Sequence, residues 1–207
     1  IDEGLSSNAC GECGPVQTNV CGECGDDPIE HWAFVAKENA NNKVDILFVI
    51  DNSQSMSNNQ TQLASSFSNF IGNFVLMNAD FQIAVITTDS ASFRGNPSIL
   101  SAATPDLAAR FATNVKVGSN GSNTEKAFLY TEKSLTDHVT YFRSDARFAL
   151  VFLGDEDDQS PNSVNYYYSI FNGVKGQPED ITMAAIFDYT NCDNGSAGQR
   201  FSQMAAL

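Results

Sequence analysis

The stretch VDILFVIDNSQSM, residues 44–56, decides the fold. It opens with an apolar run from Val44 to Ile50 that is rich in β-branched residues and interrupted only by Asp45. A strand with no polar alternation is one covered on both faces, as in a parallel sheet flanked by helices. The run stops at Asp51, and Ser53 and Ser55 follow at alternate positions. Open α/β sheets bind ligands just past the carboxyl ends of their strands. Three oxygen-bearing side chains at that point outline a site for a hard cation.

The rest of the chain repeats the strand-then-helix alternation. Leu63, Phe67, Phe70, Ile71 and Phe74 recur at helical spacing and predict an amphipathic helix over about 59–77. Residues 81–89 read as a second β-rich run, and 90–100 as a loop with an edge hairpin. A short helix over 106–113 is expected to start behind Pro105, with Pro105 in its first turn. The Gly/Ser loop 117–123 leads into a helix over 124–135. FALVFL, residues 148–153, is another buried strand, and it too ends in acid, Gly154-Asp155-Glu156-Asp157-Asp158. A Tyr-rich helix from Pro161 to about Val174, a strand over 181–187 and a helix starting in 196–207 complete the pattern. Such βαβ units build an α/β fold, doubly wound around a mainly parallel sheet. A length of 207 residues suits one such domain with a short appendage.

The appendage is N-terminal. Residues 1–30 lack periodicity and carry Cys10, Cys13, Cys21 and Cys24 in the repeat CGECG-PVQTNV-CGECG, and the domain is expected over 31–207. Paired Cys-x-x-Cys motifs can hold zinc. Here the seven residues between the motifs are fewer than in a zinc ribbon, and no apolar residues stand by to form a knuckle core. Two disulfides are the better reading, since a Gly-rich segment without a core is ordered by staples. Cys192 stands apart and is expected to be a free thiol. The 11 basic and 25 acidic residues give a formal charge of −14, which disfavours nucleic acid and anionic lipid surfaces as partners. No stretch approaches the roughly 20 apolar residues that span a bilayer, and IDEGLSSNAC lacks the basic and apolar parts of a signal peptide.

The Asp-x-Ser-x-Ser pattern of Asp51, Ser53 and Ser55 after a hydrophobic strand resembles the metal-ion-dependent adhesion site of von Willebrand factor A domains, in the version found in bacterial secreted and cell-surface proteins. The resemblance covers about residues 44–207. It implies that Ser53 and Ser55 bind a Mg²⁺ ion (or Ca²⁺ or Mn²⁺) directly while Asp51 and Asp155 hold coordinated waters. The remaining ligand, a Thr in the family, falls on Ser122, with Ser119 and Thr124 as neighbouring candidates. Gln54 stands where the family commonly has Gly. The family adds a sixth strand and a final helix beyond the point reached at Leu207, and those elements are expected to be lacking here. The implied function is that of an exported cell-surface adhesion or protein-binding module, on the bacterial outer surface or in the periplasm, whose protein partner supplies an Asp or Glu carboxylate to the metal. The alternative is a structural or assembly module in which the metal only stabilises the fold. A plainer reading of Asp51 and the serines, as caps of the following helix, competes with the metal site.

Enzyme signatures are missing from the sequence: there is no Gly-Lys-Ser/Thr phosphate loop, no His-Glu-x-x-His and no Gly-x-Ser-x-Gly. The two histidines, His31 and His138, sit at no predicted strand end, so no catalytic role is expected. DEDDQSPNSVNY fails as a calcium loop, with Ser160 in place of Gly and Tyr166 in place of Glu. Glu156, Asp157 and Asp158 therefore read as a solvated loop that adds negative field. Of the aromatic group Tyr166, Tyr167, Tyr168 and Phe171, two are expected to pack on the sheet. The disulfide reading of the cysteine repeat predicts that its four thiols resist alkylation without reductant and that elemental analysis finds no zinc. Stoichiometric zinc, or thiols that react after mild unfolding alone, would refute it.

Overall fold

A computed structural model describes residues 42–76, 78–177, 180–187 and 198–207. The cysteine repeat, the boundary near residue 30 and Cys192 lie outside the described residues. The first core strand, β1 (Lys43–Ile50), leads through a single turn of 3-10 helix (Gln54–Met56) into α1 (Ser57–Leu76). Next come β2 (Asp80–Thr87), the short β3 (Ile99–Ser101), α2 (Leu107–Val115) and α3 (Ala127–Asp137). A second 3-10 turn (Val139–Tyr141) precedes β4 (Arg147–Leu153), α4 (Val164–Asn172), β5 (Ile181–Ile186) and α5 (Gln199–Ala205).

The strands form one sheet in the order β3-β2-β1-β4-β5, with β1 at its centre. β1 pairs in parallel with both β2 and β4, β4 pairs in parallel with β5, and β3 closes the other edge antiparallel to β2. This is the doubly wound, mainly parallel arrangement that the apolar runs predict. The two faces of β1 divide the core. Ile46, Phe48 and Ile50 point to one side, where Phe67 of α1 and Phe111 of α2 cover them. Leu47 and Val49 point to the other, against Phe128 of α3, Tyr167 and Phe171 of α4 and Phe201 of α5. Helices on both faces leave no solvent side, which is why the run 44–50 needs no polar alternation. Tyr167 and Phe171 are the two aromatics of the Tyr-rich helix that are buried, while Tyr166 is exposed.

Several boundaries differ from expectation. The helix behind Pro105 begins only at Leu107, because Asp106 at its N-cap takes a left-handed conformation (φ 51°), which puts Pro105 before the helix. The helix expected from Thr124 begins at Ala127, and the one expected from Pro161 begins at Val164, where the Ser163 side chain accepts from the Tyr166 N–H and caps the first turn. Asp158 is a larger correction. It is buried, not solvated: its carboxylate accepts from the Phe128 N–H at 3.0 Å, the Ser160 hydroxyl at 2.8 Å and Arg200 Nε at 3.0 Å. It thereby joins the start of α3 to α5. Burial pushes its carboxyl up, against the pull of these donors.

Asp45, the single interruption of the β1 run, is fully buried. Its carboxylate accepts from Arg143 Nε at 2.7 Å and from the Arg143 N–H at 2.6 Å, and Lys175 Nζ lies 3.7 Å away. Burial outweighs these partners and leaves the Asp45 carboxyl above its ordinary range. Removing one member of such a buried group exposes the other's desolvation cost. Arg143→Met should therefore lower stability by about 3 kcal/mol at pH 7.5 in urea unfolding. With Arg143 gone and only Lys175 beside it, Asp45 is expected to take up a proton at higher pH, so the loss should shrink at pH 5. A pH-independent loss would show that Arg143 acts through packing alone.

Candidate metal centre

The carboxyl ends of β1, β2 and β4 meet at the point where the chain order reverses across the sheet, and the backbone continues its pairing there. The Asp51 N–H donates to the Leu153 carbonyl at 2.9 Å, the Thr88 N–H to that of Ile50 at 3.2 Å, and the Lys126 N–H to that of Thr88 at 3.1 Å. Such a reversal leaves a crevice between diverging connections. In it stands an open depression of about 330 Å³ lined by Ser53, Gln54, Ser55, Asn123 and Glu156.

Asp51 is 1% exposed, and its Oδ1 accepts from the Ser53 N–H at 2.7 Å. The Ser53 and Ser55 hydroxyls lie 3.2 Å apart. Ser53 holds the N-cap position of the 3-10 turn, yet its side chain makes no capping bond. Capping therefore does not account for this hydroxyl. Gln60 of α1 fixes the loops from behind, donating to the Asp51 carbonyl at 3.0 Å and to that of Gly118 at 2.8 Å. The Gly121 N–H donates to the Asn52 carbonyl at 2.8 Å, and a Cβ at Gly121 would stand 2.4 Å from the Asn52 side chain. A side chain there would have to displace the Asn52 amide, which Asp89 holds. Asp89 ties the same loops together, accepting from Thr87 Oγ1 at 2.6 Å, Asn52 Nδ2 at 3.1 Å and the Ser122 N–H at 3.3 Å. Burial works to raise the Asp89 carboxyl, but these donors together bring it below its ordinary range.

Of the residues singled out in the sequence, Asp51, Ser53 and Ser55 come together as expected, and the charge of Asp155 reaches Asp51. Ser122 is docked near them through its backbone, but its side chain is exposed and its hydroxyl accepts from the Thr124 N–H at 3.0 Å. Ser119 is half-buried and Thr124 exposed. A buried acid that sequence reading did not single out is Glu125. It is 2% exposed, with its carbonyl accepting from the Gln159 N–H at 2.6 Å and its Oε2 from Gln159 Nε2 at 3.1 Å.

Three buried carboxylate oxygens lack a hydrogen-bond partner among the described residues: Asp51 Oδ2, Asp155 Oδ1 and Glu125 Oε1. Their charges reach one another, for Asp51 feels that of Asp155, and Glu125 feels those of Asp51 and of Glu156, with which its side chain also pairs. Burial pushes the Asp51 carboxyl up to about 6, partly opposed by Ser53 and reinforced by Asp155 and Glu156. Burial, with Asp51 and Glu156 adding to it, takes Glu125 up to about 7. Unpartnered buried carboxylate oxygens are costly and call for a proton or a cation. Among the described residues no three His, Cys, Asp or Glu side chains form a cation cage by themselves, so an ion here would have to draw on the serine hydroxyls and on water as well. That mixture fits a small divalent cation, which keeps several waters.

An α/β sheet with a hydroxyl-and-carboxylate crevice at its switch point defines the class of the domain. The profile of the von Willebrand factor type A domain matches residues 45–174, and the chain belongs to that family. Comparison with curated proteins returned no match. Similar solved structures include proximal thread matrix protein 1 from the mussel byssus, with a TM-score of 0.48 and 17% identity over 78% of this chain. The pilus adhesin RrgA from Streptococcus pneumoniae gives a TM-score of 0.33 and 11% identity over 67% of this chain. The chain spans 39% and 24% of the lengths of those two proteins.

The raised Asp51 carboxyl fixes the sign of a pH effect. A carboxyl whose folded value lies near 6 rather than at the ordinary 3.8 favours the fold below about pH 4, and this advantage is lost as pH rises through 6. The shift corresponds to about 3 kcal/mol at neutral pH. In chelator-treated buffer the wild type should therefore be more stable at pH 5 than at pH 7.5. Asp51→Asn should flatten that dependence and raise the melting temperature at pH 7.5. Equal melting temperatures for the two proteins at pH 7.5 would remove the unrelieved burial assigned to Asp51.

Proposed function

We propose that this domain is an exported cell-surface adhesion or protein-binding module that engages its partners through a divalent cation, Mg²⁺ or in its place Ca²⁺ or Mn²⁺. The observation that carries the reading is Asp51, buried with one carboxylate oxygen unpartnered among the described residues, bonded to the Ser53 N–H beside the paired hydroxyls of Ser53 and Ser55 and within reach of the Asp155 charge. Ser53 and Ser55 would touch the ion, and Asp51 and Asp155 would hold its waters. When bound, the ion supplies a positive centre beside an open depression, where a partner's Asp or Glu carboxylate can complete its coordination. Ser122 is the nearby hydroxyl proposed from the resemblance. Membership of the von Willebrand factor type A family, whose domains commonly mediate protein interaction or adhesion, supports a protein partner. Among the described residues no helix is long and apolar enough to cross a membrane. The formal charge of −14 and the cysteine repeat favour a place outside the cytosol, on a bacterial surface or in the periplasm. We assign no enzymatic role. In the second reading, a structural module of a surface complex, the ion would stabilise the fold and contacts would form elsewhere.

Peptide display against the immobilised domain separates the two readings. Selection in Mg²⁺ should enrich peptides that elute with EDTA and share an acidic residue, whose change to Asn or Gln abolishes binding. Asp51→Ala should remove both the Mg²⁺ heat in calorimetry and the peptide binding, with circular dichroism unchanged. Binders that ignore EDTA, together with a melting temperature that rises on adding Mg²⁺, would favour the structural reading.

A further inference from the structure

We infer that the exposed cations Arg94, Arg110 and Lys116 form a second contact for the partner, next to the depression, and take an acidic segment of a protein chain. This rests on the proposed metal contact, which it extends across the neighbouring surface. In a chain of formal charge −14, residues 90–123 carry these three cations against one acid, Asp106. All three are exposed, and the fold brings them together. Arg94 Nη2 donates to the Val117 carbonyl at 3.3 Å, so its guanidinium sits beside the residue that follows Lys116. Arg110 Nη1 donates to the carbonyl of Asn96, two residues beyond Arg94, at 3.2 Å. Asn114 Nδ2 donates to the Pro97 carbonyl at 3.0 Å and holds the same loop against α2.

Among the described residues none of the three forms a salt bridge, whereas Lys43, Arg143, Arg147, Lys175 and Arg200 each do. Arg94 is near enough to act on Asp89, but the oxygens of Asp89 are taken by Thr87, Asn52 and the Ser122 N–H. Asp106 stands at the N-cap of α2, and Lys116 at its C-cap. Lys116 there complements the carbonyl end of the helix, and the arginines clamp a loop. Each clamp uses one of five guanidinium donors and leaves the charge uncompensated. The cluster borders the candidate site through Gly118, which follows Val117 and whose carbonyl accepts from Gln60 Nε2 at 2.8 Å, the same group that holds the Asp51 carbonyl. The loop that starts there ends at Asn123, on the wall of the depression. Lys116 and Asn123 are so close in sequence that at most about 25 Å separates them. An extended acidic segment with one carboxylate at the ion could therefore set others on the cations. Glu156, on the β4 side of the depression, would repel the same segment, as would the net charge elsewhere. The patch thus gives an incoming acidic segment its direction.

The test is fluorescence anisotropy of the full chain in MgCl₂ with a fluorescein-labelled twelve-residue Gly/Ser peptide carrying four Glu, beside a peptide of the same length carrying one. The four-Glu peptide should bind more tightly. Lys116→Glu should weaken it by about 5-fold at 50 mM NaCl and by less at 300 mM, while Lys133→Glu, the same charge change on α3, should cost less than about 2-fold. Arg94→Gln, its fold checked by circular dichroism, should act in the same direction as Lys116→Glu. Equal losses from the Lys116 and Lys133 changes would reduce the effect to net charge and overturn the patch, as would equal affinity for the two peptides. Binding of a sulfated oligosaccharide through Lys116, with neither peptide bound, would overturn the protein partner. An EDTA arm separates this inference from the metal reading. Peptide lost with EDTA but kept by Lys116→Glu leaves the ion and removes the patch, whereas peptide kept in EDTA but lost by Lys116→Glu leaves the patch and removes the ion.

Discussion

Asp51 is a carboxylate almost out of water at the end of the most buried strand of the sheet, and the surrounding loops are built about that constraint. Its position follows from β1, which lies between two parallel neighbours and has its faces closed by helices. A strand in that place can end only at the switch point, where the connections diverge and leave room for a ligand. The loops then converge on Asp51 and Asn52 through main-chain groups, by way of Gln60, Gly121 and Asp89. Ordering them costs conformational entropy, and the cost is met by hydrogen bonds that would otherwise be lost on burial.

The two poles of β1 show buried charge handled in opposite ways. At its start, Asp45 is met by Arg143 and Lys175, a closed group in which the protein supplies its own cations. At its end, Asp51 and the nearby Glu125 and Asp155 meet no such group among the described residues, and each keeps an oxygen without a hydrogen bond there. The first arrangement is complete in itself and anchors the sheet. The second leaves buried acid without a cation from the described residues, and this contrast separates the anchor of the sheet from the candidate site.

Period and composition made the sheet readable. Apolar runs without alternation marked β1 and β4, and the acids that stop them marked two of the loops that line the crevice. The rest was hidden for reasons of distance. Asp45 looks like a flaw in an apolar run because its partner Arg143 lies 98 residues away. Asp158 sits in a run of acids that reads as solvated, and its burial depends on α5, which arrives 42 residues later. Glu125 looked like an ordinary acid near a helix start. Neither local propensity nor spacing signals that Gln159 turns one of its oxygens away from solvent. The helix boundaries after Pro105 and Thr124 shifted because cap geometry is set by the loop conformation and not by the first favourable residue.

The loop 118–123 is held almost wholly by its backbone, through the Gly118 carbonyl, the Gly121 N–H and the Ser122 N–H. Its attachment therefore favours a small residue at position 121, beside the Asn52 amide, and leaves the outward side chains of Asn120, Ser122 and Asn123 unconstrained by the docking. Mutational drift at those positions would alter the chemical lettering on the rim while the frame beneath it stayed in place. Under the proposed function, a domain made this way would diversify what it recognises, one substitution at a time, without rebuilding the loops beneath.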